Sequence, residues 1–316
     1  MSNLNLIENG DCKRIPLLFV RGLLSRAGIE TGFYFAAKLC KVECMREFLK
    51  LGADIEVADQ HERTPLQVAI EEGNEDCVNF LLASGANIEA EDLWQHRPLH
   101  NAAMRGNENF VKLLLEAGAD VEGGSTESGR TPLYFARSAK CVRLLLAAGA
   151  DPNLRDKDGN TMLHAAVMNG CDSCVEPLLA AGIDINSQNS NGETPLHKAV
   201  NIESNGCLKC ITTLLEAGAD TNIRRHNTTS EWNSSWTPLE WAEIIGAPAE
   251  VFKAFADFAE RQEAILRYQR MRAIPILRRA GVEALYKPGG PGALRAAEHY
   301  REIGASWFNP RHDTIV

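Results

Sequence analysis

Apolar and polar positions along the chain follow a long-period pattern. A short apolar run opening on Thr-Pro-Leu is followed by a polar turn. A second run of the kind Cys-Val-x-x-Leu-Leu then leads into Gly-Ala-Asp and a stretch rich in Asp, Asn and Gly. The clearest copy is NGETPLHKA at residues 191–199, completed by LLEAGAD at 214–220. The Thr position falls at Thr31, Thr64, Arg97, Thr131, Thr161, Thr194 and Thr237, in steps of 33, 33, 34, 30, 33 and 43. The closing glycines are Gly52, Gly85, Gly118, Gly149, Gly182 and Gly218. Thr is a good helix N-cap, and Pro at the first helical position has a suitable fixed φ and no N–H to satisfy. Each unit therefore predicts two short helices, the second closed by Gly in the left-handed conformation. The polar stretch predicts a hairpin leading back to the next Thr. A fixed period means stacked units rather than one closed core.

The tetrapeptides Thr64-Pro65-Leu66-Gln67, Arg97-Pro98-Leu99-His100, Thr131-Pro132-Leu133-Tyr134, Thr161-Met162-Leu163-His164, Thr194-Pro195-Leu196-His197 and Thr237-Pro238-Leu239-Glu240 carry the resemblance. With their Gly-Ala-Asp partners, they make residues 31–260 similar to the ankyrin repeat family. The resemblance implies an all-α solenoid: stacked helix-turn-helix units, with hairpin fingers projecting from one edge and lining a concave groove. About seven repeats are expected. Residues 1–30 are then a capping segment, and 261–316 a helical cap and tail. In the first repeat Thr31-Gly32-Phe33-Tyr34 replaces the tetrapeptide, as in a terminal unit. The fourth repeat loses three residues, where Arg137-Ser138-Ala139-Lys140 takes the place of the longer turn, so its helices should be clipped. The sixth gains three at 202–206, and the finger after Gly218 is seven longer, running through Trp232 to Trp236. Such insertions leave the stack as loops, where recognition tends to be placed. Beyond it, residues 248–272 predict a long helix with Val251, Phe252, Phe255, Phe258, Ile265 and Leu266 on a packing face, ended or kinked by Pro275. A turn at 287–292, a short helix at 293–303 and a tail complete the chain.

Composition narrows the function. With 45% hydrophobic and 24% charged residues the chain has a soluble, folded profile. The apolar run at 15–20 is too short to span a bilayer, and no signal peptide is read, so a cytoplasmic location is expected and no membrane partner. Net charge is −9. Residues 261–316 hold nine Arg and one Lys against four Glu and one Asp, a local +5, which leaves −14 for residues 1–260. Such an acidic body disfavours nucleic acid and favours a basic protein partner.

Candidate chemistry divides into framework and variable positions. Cys171-x-x-Cys174 and Cys207-x-x-Cys210 have zinc-like spacing. However, Cys44, Cys77, Cys141, Cys174 and Cys210 all lie eight residues before their closing Gly, which reads as a core register filled by small buried hydrophobes. Packed helices about 8–10 Å apart also fit poorly with ligands about 4 Å apart around zinc. No metal or cofactor is expected. His100, His164 and His197 are histidines that, by the resemblance, hydrogen-bond within the repeat framework, and no nucleophile, base pair or phosphate loop accompanies them, so no enzyme is read. Partner binding is expected where copies differ: Trp94, His96, Met104, Arg105, Tyr134, Phe135, Met168, Lys198, Trp232 and Trp236. Aromatic residues, Met and Arg dominate binding energy at interfaces. The function expected is a non-enzymatic protein-binding module. The alternative is an adaptor or host-directed effector whose array selects a target and whose C-terminal region recruits other machinery. The end Thr314-Ile315-Val316 also resembles a carboxy-terminal ligand of PDZ domains, a motif short enough to match by chance.

Overall fold

The computed structural model describes residues 7–9, 12–124, 128–201, 208–226 and 235–279. The expected features at 202–207, Trp232 in the long finger, and everything from 280 onward, including the PDZ-ligand-like end, lie outside the described residues. After a single 3-10 turn at Cys12–Arg14, helix α1 spans Ile15–Val20. Helix pairs follow: α2 Arg26–Lys38 with α3 Val42–Lys50, α4 Pro65–Glu71 with α5 Glu75–Ala83, and α6 Pro98–Arg105 with α7 Glu108–Glu116. Next come α8 Pro132–Phe135 with α9 Ala139–Ala147, α10 Met162–Met168 with α11 Asp172–Ala180, and α12 Pro195–Val200 with α13 Leu208–Glu216. Strands β1 Arg225–His226 and β2 Ser235–Trp236 pair antiparallel, and α14 Pro238–Ile244 and α15 Ala249–Arg279 follow.

The first helices of successive pairs stack in one row from α2 to α14, and the second helices α7, α9, α11 and α13 stack in another. Between the rows lies a continuous core. Leu66, Ile70, Leu81, Leu99, Leu114, Leu133, Leu145, Leu163, Leu178, Leu196 and Leu214 are all essentially inaccessible. Each such side chain contributes about 1.5–3 kcal/mol by leaving water.

Local chemistry sets the boundaries. The Thr64 hydroxyl accepts from the Gln67 amide while the Gln67 carboxamide accepts from the Thr64 N–H, a reciprocal N-terminal cap. At the other end, Gly52, Gly85, Gly118, Gly149, Gly182 and Gly218 all have φ between 83° and 99°. The residue after each donates back into the helix, as Ala86 N–H does to Leu81 O at 3.0 Å.

The first unit departs from the sequence reading. Its N-cap is Ser25, whose hydroxyl accepts from Gly28 N–H at 3.1 Å, and Thr31 sits inside α2 with its hydroxyl donating to Ala27 O. The helix starts earlier because Ser25 offers a cap and no proline interrupts residues 26–38, which stay helical despite Gly28 and Gly32. The fourth unit is clipped as expected. Helix α8 has four residues, Ala136 is extended, and Arg137 N–H donates to Ala103 O of the preceding unit.

Two cysteine expectations need correction. Cys44 and Cys174 are fully buried in the expected register, but Cys44 is disulfide-bonded to Cys12, and Cys174 to Cys171. Burial by register says nothing about what a neighbouring thiol outside the register can reach. Cys77, Cys141 and Cys210 are buried thiols that form no disulfide.

The chain divides into two compact units at Phe255. In the first, Val251 and Phe255 bury the start of α15. In the second, α15 runs through Pro275 to Arg279, and Ile265 and Leu266 are exposed, so the packing face foreseen over residues 251–266 ends early. Proline removes one backbone hydrogen bond, and the helix formers flanking Pro275 carry the helix past it.

Candidate partner-binding site

The fingers owe their shape to one acidic or amide side chain each. Asp59 Oδ1 accepts from His61 N–H (2.8 Å) and Arg63 N–H (3.0 Å), and Asp92 Oδ1 from Trp94 N–H (2.9 Å) and His96 N–H (2.8 Å). Asp156 and Asn189 repeat the arrangement. Finger is joined to finger by backbone bonds, Leu93 N–H to His61 O at 2.9 Å and Ser190 N–H to Asp158 O at 2.9 Å. Framework side chains stitch the same direction. Gln67, His100, His164 and His197 each donate to a carbonyl of the next unit, at 2.7, 3.2, 3.0 and 3.0 Å. In each histidine Nδ1 accepts a backbone N–H of its own unit, so Nε2 carries the proton. Burial pushes His100 and His164 down to about 4 and also lowers His197, which keeps all three neutral.

On this frame an aromatic ridge crosses the second to fourth units. The Trp94 indole is 53% exposed and stacks on the His61 imidazole, with ring centres 5.4 Å apart. His96 lies 6.4 Å from Trp94 and meets Phe135 edge-on at 5.0 Å. Phe135 in turn contacts the rings of His100 and Tyr134, both at 5.8 Å. Leu93 beside Trp94 is 56% exposed. Phe135 reaches this ridge because α8 ends there and the chain turns away.

The ridge is flanked by two polar networks. On one side the Tyr34 hydroxyl donates to Asp59 (2.7 Å), Arg63 bridges Asp59 (2.8 Å) and Glu71 (2.7 Å), and Asn101 donates to Glu71 (3.2 Å). The burial of Asp59, which would raise its pKa, is outweighed by the bonds from Tyr34 and Arg63, which hold it down to about 2. On the other side Tyr134 donates to Asp156 (2.8 Å), Asn160 links Asp156 to Asn189, and Asn189 donates to Glu193. Glu193 pairs with Lys198 (2.5 Å) and Arg225 (2.8 Å), and Arg225 lies over the Trp241 ring at 4.2 Å. Burial raises the Glu193 pKa, but Lys198, Asn189 and Arg225 more than reverse this.

The predicted residues therefore separate. Trp94, His96 and Phe135 come together. Tyr134 is buried and its hydroxyl is committed to Asp156, so it supports the ridge from beneath rather than presenting a free surface. Lys198 is half-buried in the ion pair with Glu193 and is not an open groove position. Met104 is half-buried and Met168 40% exposed, both on first helices, while Arg105 is exposed and its guanidinium donates to the Glu71 carbonyl. Trp236 is half-buried, 5.8 Å from the Trp241 ring. Sequence reading missed His61 and Leu93 at the ridge. It also missed the Asp59, Asp92, Asp156 and Asn189 series, although the steps from 59 to 92 and from 156 to 189 are both 33.

The fingertips differ in one further respect. The equivalent tip position holds Gly129, Gly159 and Gly192, with φ of 66°, 76° and 70° in the later units, but Glu62 (φ 60°) and Gln95 (φ 62°) in the two fingers that carry His61 and Trp94. A residue with Cβ pays about 1 kcal/mol in that conformation.

Comparison with known proteins agrees with the geometry. The family model described as ankyrin repeats (3 copies) matches residues 6–92, 89–156 and 135–225. "Protein fem-1 homolog A" of Bos taurus is 47% identical over 47 residues, 15% of this chain. That match spans 7% of the length of the relative.

Proposed function

This chain belongs to the ankyrin repeat family, a general protein–protein interaction module, and on that premise we propose that it captures a protein partner along the ridge built from His61, Trp94, His96 and Phe135. The observation that carries the reading is the pair of strained tips. Glu62 and Gln95 occupy the left-handed conformation where glycine would relieve the strain, and they do so only in the fingers beside the exposed Trp94 and His61. Among the described residues Cys40 (φ 52°), in the turn between α2 and α3, is the other non-glycine residue in this conformation, so strain at the fingertips is confined to these two fingers, and strain kept at such a position is a mark of function.

The partner's chemistry follows from charge. Residues 54–63 and 87–97 hold seven acidic residues against two arginines, and both arginines are already engaged by carboxylates. A basic segment with a large apolar anchor suits this edge. Its cations are attracted to the carboxylates and to the face of Trp94, and its anchor packs on Leu93 and Phe135. A photo-crosslinking residue in place of Leu93 tests this, with the same residue in place of the exposed Lys112 on α7 as the control. Covalent capture of the same protein from position 93 and not from 112 is the expected result. Equal capture at both positions, or none at 93, would count against the ridge.

A further inference from the structure

The turn into α11 has given up a frame residue for a thiol. In the third and fourth units, Asn107 and Ser138 stand three residues before the core positions Phe110 and Cys141. Their side chains cap the helices, accepting from the Phe110 N–H at 3.2 Å and the Cys141 N–H at 3.1 Å. Before Cys174 the same place holds Cys171. Its side chain makes no cap bond, and the Cys174 N–H donates instead to the Cys171 carbonyl at 3.1 Å. What the exchange of residues supplies is the disulfide to Cys174, with Cα atoms 5.4 Å apart.

We infer that Cys171 and Cys174 form a redox-active dithiol–disulfide couple that exchanges with small monothiols of the glutathione class. Three observations favour this over a structural cross-link. A cross-link stabilises chiefly by constraining the unfolded chain, and more so for longer loops. The Cys171–Cys174 bond joins residues three apart and constrains little, whereas Cys12–Cys44 spans 32. The two sulfurs are also unequal. Cys174 is fully buried, while Cys171 is 8% exposed. It lies on a turn where, beyond the chain neighbours, no atom stands within 4 Å of where a Gly170 Cβ would lie, so an incoming thiolate meets Cys171 first. Finally, each sulfur has surroundings that suit its reduced form. The Ser173 hydroxyl, 3.6 Å from Cys171 Sγ, and the N-terminal end of α11 favour negative charge on that sulfur, and the Asp172 carboxylate between them is engaged by Lys209. Cys174 Sγ lies 3.8 Å from the buried Ala136 carbonyl oxygen. A disulfide sulfur has no hydrogen to offer that oxygen, and a thiol does.

In reduction the monothiol's sulfur bonds to Cys171 Sγ and the Cys171–Cys174 bond breaks. Its electron pair goes to Cys174 Sγ, which takes up a proton and hydrogen-bonds to Ala136 O. A second monothiol then attacks its fellow's sulfur in the mixed disulfide and releases Cys171. Two monothiols are thereby oxidised to their disulfide and two cysteines reduced to thiols, and oxidation runs the same steps backwards.

Equilibration of the full, folded chain with reduced and oxidised glutathione at a series of ratios, read by acid quench, alkylation and peptide-resolved mass spectrometry, tests the inference. The 171–174 peptide should pass from disulfide to dithiol within the series, reaching the same ratio from either starting state. That ratio should change about tenfold for each tenfold change in [GSH]²/[GSSG]. Cys174→Ser should retain one glutathione on Cys171, because no second sulfur displaces it. Cys171→Ser, which restores a capping side chain, should carry none on the buried Cys174. A disulfide that survives excess reduced glutathione, or a dithiol that persists in excess oxidised glutathione, would overturn the inference in the wild-type chain alone, whatever the folding of the variants. Equal adducts on the two variants would overturn the assignment of Cys171 as the exchanging sulfur.

Discussion

At the fourth position of the tetrapeptide, Gln67 and His164 do the same structural work with different acid sensitivity. Each accepts the N–H of its own cap residue and donates to a carbonyl of the next unit. Only the histidine can gain a proton. Its folded pKa is lowered by burial to about 4, from an ordinary value of 6.5, so between those values the unfolded chain binds more protons. Its stabilisation is therefore complete above about pH 6.5 and is lost as pH falls toward 4, by roughly 3 kcal/mol. His100 adds a loss of the same sign in the same window. Asp59, whose folded pKa is depressed to about 2, loses its contribution only below about pH 4. We expect His164→Gln to leave the unfolding midpoint at pH 7.5 within a few degrees of wild type and to flatten the denaturant-measured decline between pH 6.5 and 4. An unchanged pH profile would remove the linkage.

At the scale of elements, the fingertips make a prediction of opposite kind. Gln95→Gly and Glu62→Gly should each stabilise the chain by about 1 kcal/mol, seen as a rise of roughly 2–4 °C in melting temperature, because glycine removes the Cβ clash at positive φ. Gly159→Ala should do the reverse, since its Cβ would come within 2.9 Å of Ser190 N. Much of this scale was legible in the sequence. Thr-Pro-Leu starts and Gly-Ala-Asp ends are local signals with local physics, and they placed α4 to α12 and the clipped α8. The first helix escaped because its start is set by Ser25, outside the period, and both disulfides escaped because pairing depends on distance rather than register. The ridge was half legible. Trp94, His96 and Phe135 stood out as large residues at variable positions. His61 did not, because its role comes from the finger-to-finger bond between Leu93 N–H and His61 O that sets it beneath the Trp94 ring. The engagement of Lys198 by Glu193 and of Tyr134 by Asp156 was not legible for the complementary reason: these buried carboxylate partners lie outside the tetrapeptide, on the fingers.

Across the whole molecule, a repeating frame stabilises each unit mainly through its neighbours, so function is carried by surface that the frame does not need. Two polar networks, one from Tyr34 to Asn101 and the other from Tyr134 to Trp241, lock the stack on either side of the ridge, and Trp94 stands above it without contributing to the core. Partner capture and folding should therefore separate at this residue. The most direct test selects peptides from a random-sequence library on the intact chain and titrates the recovered peptides, by calorimetry, against wild type and Trp94→Ala. The account predicts basic peptides with a large apolar or aromatic anchor. It also predicts binding at least about tenfold weaker to Trp94→Ala, with the melting temperature retained within about 2 °C. Neutral or acidic peptides, or basic ones that bind both proteins equally, would contradict it.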